Sequence, residues 1–305
     1  MYTENTGKDL ILFCKAFTSN QLAKFAPKMY VNLTHQTGRG AEKEDAMKIA
    51  NYFIECFHDY RKQLGFTDPQ IEQYLKDKVI LEYGPGDILG IAILFYAYGA
   101  KIVHCVDRFP LSNMSSKNID VYTCLLNSLN SVQRKRVETS FKEIGDIRSG
   151  FNDNCIKYEV TKNGLSGVSN KYDLIISRAV LEHVNNLEET MLDIKLGMKS
   201  DGISLHQVDL KSHGLDRYID YDFLTWPTYI YKLMYNHKGF PNRWRVNKYK
   251  ELAESSGLHI KKLTHTGQLD LQGLSVISRN ASKEFEHIPL EELSWLGFWI
   301  YLEHV

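Results

Sequence analysis

The sequence has little of several features that mark specialised classes of protein. Among its 305 residues are only seven prolines and five cysteines, and its 37 lysine and arginine residues balance its 37 aspartate and glutamate residues. A formal charge of zero provides no long-range field toward nucleic acid or an anionic membrane. The most apolar segment, residues 90–100, is far shorter than the roughly 20 residues that a membrane span requires. We therefore expect a protein that neither binds nucleic acid nor inserts into a membrane.

The five cysteines are scattered and include no Cys-x-x-Cys pair, which argues against a disulfide framework or a structural zinc site. The first nine residues lack the basic segment and apolar core of a secretory signal. A hydrophobic content of 43% with 24% charged residues is that of an ordinary globular protein. These features predict a cytoplasmic location.

The hydrophobic pattern divides the chain into three segments. Residues 1–75 predict helices, since apolar residues recur at helical spacing from Glu42 to Leu64 and Gly65 follows as a stop. Residues 76–212 alternate short β-branched runs with helical patterns, which is typical of βαβ units in a parallel sheet. Residues 213–305 form the third segment, which begins with an aromatic-rich stretch.

The candidate strands fit one large sheet. Five lie in the middle segment and two in the last: Val79–Tyr83, Lys101–Asp107, Cys155–Thr161, Tyr172–Arg178, Ile203–Leu210, His259–Thr266 and Leu274–Arg279. Helices are predicted from Leu187 to Met198 and from a cap at Asn247 to Ser256. We therefore predict an α/β fold, with a doubly wound, Rossmann-like, mostly parallel sheet, N-terminal helices and a C-terminal aromatic-rich cap insertion.

A glycine loop after the first candidate strand is the most informative motif. The run Glu82-Tyr83-Gly84-Pro85-Gly86 leads from that strand into a helix. Glycines there permit a sharp turn and a close approach of the backbone to a ligand, and the helix N-terminus offers free N–H groups. Asp107 ends the second strand, where a doubly wound fold places a carboxylate that accepts hydrogen bonds from ribose hydroxyls. The loop and the acid together predict an adenosine-type ligand.

Two classes of cofactor would place adenosine in such a site. The dinucleotide fingerprint requires a small residue where this chain has Leu89. The carboxylate of Glu82 suits a pyrophosphate poorly, but it suits a ligand that carries an ammonium and a sulfonium. The charges therefore favour S-adenosylmethionine over a nicotinamide dinucleotide.

With these motifs the sequence resembles the class I S-adenosylmethionine-dependent methyltransferase family. The family's first motif matches residues 82–86, its second acidic residue matches Asp107, and its fourth-strand motif matches residues 172–184. The resemblance implies that Glu82, Gly84 and Gly86 shape the methionine end of the cofactor site and that Asp107 holds the ribose.

The same resemblance implies the remaining cofactor contacts. It places Arg108 and Phe109 beside the adenine, and it places Val160 and Thr161 near the adenine after the third strand. Ser177 and Arg178 end the fourth strand, facing the methyl group.

Three titratable residues lie at the end of the fifth candidate strand. In one interpretation His206 or His213 is the general base, and Asp209 orients it or contacts the substrate. In a second interpretation the three residues bind a divalent metal, which in turn binds adjacent sugar hydroxyls. Strand alternation puts His206 and Asp209 on opposite faces, so a third interpretation makes His206 a buried structural residue.

Several residues are candidate substrate contacts, each with a structural alternative. His183 follows the fourth strand and either reaches the transfer cleft or lies at the start of a helix. Arg39 lies between two glycines and either clamps an anionic group or belongs to a solvated turn. The third segment supplies ring and polar candidates for a cap over a sugar, or for a core: Tyr218, Trp226, Asn242, Arg243 and Arg245.

The prediction is an O-methyltransferase that acts on a small polar acceptor. Resemblance to sugar methyltransferases of surface-polysaccharide gene clusters implies a sugar, a nucleotide-activated sugar or a phosphorylated sugar in capsule or O-antigen biosynthesis. Three alternatives stay open: an N-methyltransferase of a small amine, an NAD(P)-dependent oxidoreductase, and a non-catalytic partner subunit that binds the cofactor.

Overall fold

Nine β-strands form two sheets in the computed structural model, which describes residues 6–26, 29–30, 33, 44–219 and 221–305. The strands are β1 (Val79–Tyr83), β2 (Ile102–Asp107), β3 (Phe141–Glu143), β4 (Asp146–Phe151), β5 (Ile156–Val160), β6 (Tyr172–Arg178), β7 (Met198–Asp209), β8 (Leu258–Gln268) and β9 (Trp295–His304). Seven form one sheet in the order β5-β2-β1-β6-β7-β9-β8, and β3 pairs with β4 in an antiparallel hairpin. The predicted Rossmann-like, mostly parallel sheet is confirmed.

The centre of this sheet consists of buried parallel strands. Strand β1 pairs in parallel with β2 on one side and with β6 on the other, and β2 pairs in parallel with β5. In this register Glu82 lies between Cys105 of β2 and Ile176 of β6. Near-continuous apolar runs, such as Leu174 to Ile176, are typical of strands that are covered on both faces.

Eleven α-helices lie wholly within the described part of the chain. They are α1 (Thr6–Phe25), α2 (Ala46–Leu64), α3 (Asp68–Leu75), α4 (Gly90–Ala97), α5 (Ser116–Ser128), α6 (Ser131–Glu138), α7 (Leu187–Gly197), α8 (Thr228–Tyr235), α9 (Val246–Ser255), α10 (Leu271–Asn280) and α11 (Leu290–Leu293). None of the described helices is long and apolar enough to cross a membrane.

The long helix α2 begins and ends at clear sequence signals. The side chain of Asp45 accepts a hydrogen bond from the N–H of Lys48 and so caps the first turn. Gly65 adopts a left-handed conformation with φ 77° and ends the helix, as predicted. The apolar stripe of α2 is buried and packs on α4 and α5.

The chain forms two compact units, which we name by their contents. The glycine-loop unit comprises the described residues of Thr37–Ser177, Leu192–Leu205 and Glu303–Val305. The aromatic unit comprises those of Met1–Gln36, Arg178–Met191 and His206–Leu302. The three consecutive segments drawn from the sequence stay a prediction.

The aromatic unit has its own hydrophobic core. Helix α1 packs against α8, and the core draws on several elements: Ala16, Tyr221, Phe223, Leu224, Trp226, Tyr231, Met234, Tyr235, Ile277, Phe285 and Leu293. Most rings of the aromatic-rich stretch therefore lie in this core.

Two predictions for the C-terminal segment are wrong, and one strand was not predicted. The run Leu274–Arg279 is part of helix α10, because Asp270 caps that helix by accepting from Gly273 N at 2.6 Å. The N-cap position of helix α9 is occupied by Arg245, which makes no side-chain capping hydrogen bond, and Asn247 lies in the first turn. Strand β9 was not predicted, although its aromatic run is typical of strands.

Candidate active site

The glycine loop of the glycine-loop unit turns sharply where β1 ends. Gly84 has φ 59° and Gly86 has φ 76°, a left-handed conformation that other residues adopt at a cost. The N–H of Gly84 donates to the carbonyl oxygen of Val106 at 2.8 Å, so the loop continues along β2 before it leaves the sheet.

Side chains of helix α5 form hydrogen bonds with the backbone of residues 87 and 89, which follow the glycines of this loop. The hydroxyl of Tyr122 accepts a hydrogen bond from Leu89 N at 3.1 Å, and the side-chain amide of Asn118 donates to the carbonyl oxygen of Asp87 at 2.9 Å. Both side chains are buried. Sequence analysis missed these two residues, because nothing in the spacing of a helix 30 residues away indicates which of its side chains meets the loop.

Glu82 lies at the base of the loop with little access to solvent. Its side chain is 7% exposed, and the thiol of Cys105 donates to its Oε2 at 3.5 Å. Burial raises the pKa of Glu82 to about 8, the thiol hydrogen bond lowers it, and Asp107 raises it further. A buried carboxyl of this kind is stabilised as an anion when a cationic group binds beside it.

Asp107 ends β2 next to the glycine loop. Its Oδ2 accepts a hydrogen bond from Gly86 N at 3.4 Å, and its Oδ1 accepts one from Phe109 N at 3.0 Å. Burial raises the pKa of Asp107, whereas these backbone donors lower it. The guanidinium of Arg108 stacks over the Phe109 ring at 4.7 Å, so both predicted flanks of an adenine follow the acid directly.

Tyr158 of β5 secures the loop that follows Asp107. Its hydroxyl donates to the carbonyl oxygen of Phe109 at 2.8 Å and accepts from Leu111 N at 3.1 Å and from Ser112 N at 3.4 Å. Burial raises the pKa of Tyr158 to about 12, so the hydroxyl remains protonated. Sequence analysis did not single out this residue.

The remaining predicted cofactor residues lie at the ends of β5 and β6. Val160 is 42% exposed, and Thr161 N donates to the carbonyl oxygen of Asp107 at 2.9 Å. Ser177 is buried and lies in register with Tyr83, and Arg178, in the aromatic unit, stacks over Trp299 at 5.6 Å.

These features of the glycine-loop unit fit an adenosine ligand that carries a cation. A loop with left-handed glycines allows close approach, Asp107 offers carboxylate oxygens to a ribose, and Glu82 offers a buried carboxyl to an ammonium.

In the aromatic unit the structure gathers a different set of titratable residues from the predicted one. Glu182, His183 and His213 each offer a ligand atom within 4.8 Å of the others, and they form the one such group of three found in the described residues. The rings of His183 and His213 lie 5.0 Å apart. The predicted set of His206, Asp209 and His213 does not form such a group in the described residues, and His206 is fully buried.

Burial also separates the roles of the residues near the end of β7. Burial lowers the pKa of His206 to about 3, which favours the neutral form of its ring. Asp209 contacts the cluster through its backbone, since its N–H donates to Oε1 of Glu182 at 3.3 Å. Burial raises the pKa of Glu182 well above its usual value, and the charge of Asp209 raises it further.

Asn242 positions the segment that carries Glu182 and His183. Its side-chain amide donates to the carbonyl oxygen of Leu181 at 2.9 Å, and its backbone N–H donates to the carbonyl oxygen of Glu182 at 2.7 Å. The residue was predicted to contact substrate, and the structure gives it these contacts to the Glu182 segment.

The other predicted substrate contacts make internal interactions. Arg243 donates to the carbonyl oxygens of Phe223 and Trp226, and Arg245 donates to those of Arg243 and Leu210. Both arginines are at most 3% exposed. Trp226 belongs to the aromatic core, and the hydroxyl of Tyr218 donates to Asp9 at 2.8 Å. Arg39 lies outside the described residues.

Solved structures can be aligned with this chain at low sequence identity. An S-adenosylmethionine-dependent methyltransferase from Mesorhizobium loti is 15% identical, with 77% of this chain and 95% of that chain covered and a TM-score of 0.43. One from Aquifex aeolicus is 10% identical, with 86% and 100% covered and a TM-score of 0.39. No curated protein matches the chain in sequence.

A family model gives the firmer assignment. The model of the methyltransferase domain matches residues 57–263, which include the glycine loop, Asp107 and the Glu182 cluster. The cofactor is S-adenosylmethionine, and the buried carboxyl of Glu82, the left-handed glycines and the carboxylate of Asp107 are features that fit it. The chain therefore belongs to the methyltransferase-domain family and is an S-adenosylmethionine-dependent methyltransferase.

Proposed function

We propose that the chain methylates a hydroxyl group of a small polar acceptor. The observation that carries the proposal is the cluster of Glu182, His183 and His213, whose ligand atoms lie within 4.8 Å of one another. A hydroxyl is a weak nucleophile until its proton is removed, and histidine is the side chain that most often performs this step. Methylation of an amine needs no such cluster.

The described part of the aromatic unit also contains a small cavity suited to a polar ligand. Its volume is about 240 Å³, and its lining includes the side chains of Asn242, Trp244, Asn247 and Lys248. The Oδ1 atom of Asn247 is buried and accepts no hydrogen bond. Asn242 lines this cavity and also donates a hydrogen bond to the carbonyl oxygen of Leu181, next to Glu182. A ligand in the cavity would therefore lie beside the residue that positions the Glu182 segment.

As the acceptor class we propose a sugar, which is free, phosphorylated or nucleotide-activated. We propose that its methylation belongs to the cytoplasmic assembly of a surface polysaccharide. Amide and ammonium groups beside an indole ring are the kind of lining that binds sugar hydroxyls and a sugar face. All five cysteines are free, which agrees with a reducing compartment.

The test is an acceptor screen with the purified chain. Release of S-adenosylhomocysteine is followed with nucleotide sugars, sugar phosphates, small alcohols and small amines. We expect turnover with a hydroxyl acceptor and a loss of roughly 10²–10⁴-fold in kcat for His213→Ala. The exposed His287 provides the matched control, and His287→Ala should retain the wild-type kcat.

Other results would support the alternatives. Turnover with amines alone, unaffected by His213→Ala, would show an N-methyltransferase. Saturable binding of S-adenosylhomocysteine without turnover on any acceptor would favour a partner subunit that binds the cofactor.

A further inference from the structure

The cluster of Glu182, His183 and His213 combines one carboxylate with two imidazoles. Their ligand atoms lie within 4.8 Å of one another, and Nε2 of His183 is 3.9 Å from Oε1 of Glu182. The distance of 3.9 Å exceeds that of a direct hydrogen bond, but it lies within the roughly 4.4 Å that two atoms can span across one cation at bond lengths of roughly 2.0–2.2 Å.

Glu182 supplies an independent indication of a missing partner. Its side chain is 1% exposed, Oε1 accepts from Asp209 N, and Oε2 is buried and accepts no hydrogen bond. A buried carboxylate oxygen normally has a partner, because its desolvation is otherwise uncompensated. A cation bound to the carboxylate would provide that partner.

The backbone holds the three residues in a defined arrangement. Asn242 fixes the segment of Glu182 and His183 through hydrogen bonds to the carbonyl oxygens of Leu181 and Glu182. His213 has a left-handed backbone with φ 53°, which is rare for a residue other than glycine and is found preferentially at functional sites. The three ligand side chains therefore extend from backbone segments of defined conformation.

We propose that Glu182, His183 and His213 bind one divalent transition-metal cation. Imidazole ligands favour zinc, iron and related ions over magnesium or calcium, and two imidazoles with one carboxylate leave open positions on the metal. His213 is exposed and His183 is partly exposed, so the site is accessible from solvent.

The role of this cation in catalysis rests on the proposed function. A hydroxyl oxygen of the acceptor that occupies an open position would lose its proton more readily, because a bound divalent cation lowers the pKa of its oxygen ligand. The cluster would then activate the hydroxyl through the metal, and the proton would pass to solvent water rather than to a metal-bound histidine. The acceptor oxygen would form its bond to the methyl carbon as the bond from that carbon to the sulfonium breaks, and S-adenosylhomocysteine would leave.

Metal binding is tested without cofactor or acceptor. The full chain, purified without a histidine tag and treated with EDTA, is titrated with CoCl₂ while the visible absorption of bound cobalt is recorded. We expect one equivalent to bind, with at least tenfold weaker affinity in His213→Ala and in Glu182→Gln. His287→Ala, which changes an exposed histidine outside the cluster, should bind like the wild type.

Two results would overturn the site. One is the absence of saturable cobalt binding in the wild type, and the other is wild-type affinity in both cluster variants. His213→Ala alters an exposed side chain, so thermal denaturation and S-adenosylhomocysteine binding will show that this variant is folded.

A separate measurement tests the catalytic role. Loss of methyl transfer after EDTA treatment, with recovery on addition of CoCl₂ or ZnCl₂, would support activation by the metal, and full activity of the metal-free chain would overturn it. A failure to methylate any hydroxyl acceptor would count against the proposed function, while the cobalt titration would still decide the metal site.

Discussion

Asn242 and Glu182 are joined by a backbone hydrogen bond of 2.7 Å, in which Asn242 N donates to the carbonyl oxygen of Glu182. The side chain of Asn242 adds hydrogen bonds to the carbonyl oxygens of Leu181 at 2.9 Å and Val184 at 3.4 Å. The same side chain accepts from Trp244 N at 3.1 Å. Asn242 thus holds the segment that carries two members of the cluster.

We expect Asn242→Ala to loosen this segment without disturbing the cofactor site. Cobalt affinity should fall by roughly 10- to 100-fold, as is usual when the support of a metal ligand is lost. S-adenosylhomocysteine affinity, measured by calorimetry, should stay within twofold of the wild type. Asn236→Ala, at an exposed asparagine, is the control. Unchanged cobalt affinity in Asn242→Ala would mean that the segment is positioned by other contacts.

The backbone conformation of the glycine loop was largely predictable from sequence, because it depends on local motifs. Strands β1 and β6 have the predicted ends, and Gly84 and Gly86 adopt the left-handed conformations that a sharp turn requires. A strand, a glycine loop and an acid 21 residues later form one contiguous unit, so their spacing carries the information. Tyr158 and Tyr122 could not be assigned, because their contacts depend on tertiary packing.

The second cluster was predicted only in part, for a similar reason. His206 and His213 looked equivalent as residues near the end of a strand, but β7 buries the first completely. Glu182 joins the site from a segment 31 residues before His213, and spacing alone did not indicate that these residues meet. The aromatic residues were open to two interpretations, and the core of the aromatic unit takes most of them.

Asp107→Ala should weaken the binding of S-adenosylhomocysteine. The variant loses a charged acceptor for the ribose hydroxyls, and it also frees the N–H groups of Gly86 and Phe109 that shape the loops. We expect a loss of about 2 kcal/mol, or roughly 30-fold in Kd by calorimetry. Asp107→Asn keeps one acceptor oxygen and should lose less, and the exposed Asp153→Ala should lose nothing. Wild-type affinity in Asp107→Ala would place the ribose elsewhere.

Glu82 should couple cofactor binding to proton release. Its pKa is raised to about 8 by burial, so the carboxyl is protonated at pH 7 before the cofactor binds. An ammonium beside it favours the anion, and the proton leaves. Calorimetry at pH 7 in two buffers of different ionisation enthalpy should show close to one proton released on S-adenosylhomocysteine binding. The release attributable to Glu82 should vanish in Glu82→Gln; equal release in both chains would refute the coupling.

The same residue should make folding stability depend on pH. In the unfolded chain Glu82 has its ordinary pKa of 4.5, whereas burial in the folded chain raises this pKa to about 8. The folded state therefore binds more protons between these values, and the free energy of unfolding should fall as pH rises from 4.5 to 8. We expect Glu82→Gln to unfold at a higher temperature than the wild type at pH 8.5 without cofactor, with a smaller difference at pH 5. A lower unfolding temperature for the variant at both pH values would contradict the raised pKa.

Gly90 opens helix α4 against the ring of Phe53. A Cβ at this position would lie 2.4 Å from Cγ of Phe53, which is too close for any side chain. Gly90→Ala should cost roughly 1–3 kcal/mol of unfolding free energy, as overpacking usually does. The combined variant with Phe53→Leu should recover part of the loss, and a double-mutant cycle in urea measures the coupling. Additive losses would show that the ring yields to the added methyl group.

Tyr158→Phe tests whether the loop after Asp107 must be held for the adenosine end to bind. The variant removes only the hydroxyl, and with it the acceptor for Leu111 N and Ser112 N and the donor to the carbonyl oxygen of Phe109. The ring remains, so β5 should keep its packing. We expect S-adenosylhomocysteine affinity to fall by roughly 5- to 30-fold, the effect of about 1–2 kcal/mol of lost hydrogen bonding.

The control is Tyr229→Phe, which removes a hydroxyl from a tyrosine that is 69% exposed. If Tyr158→Phe binds like this control, the loop is rigid without the hydroxyl. If Tyr158→Phe weakens S-adenosylhomocysteine but leaves cobalt affinity unchanged, then the hydroxyl acts on the adenosine end alone. That separation is expected, because Tyr158 belongs to the glycine-loop unit and the Glu182 cluster belongs to the aromatic unit.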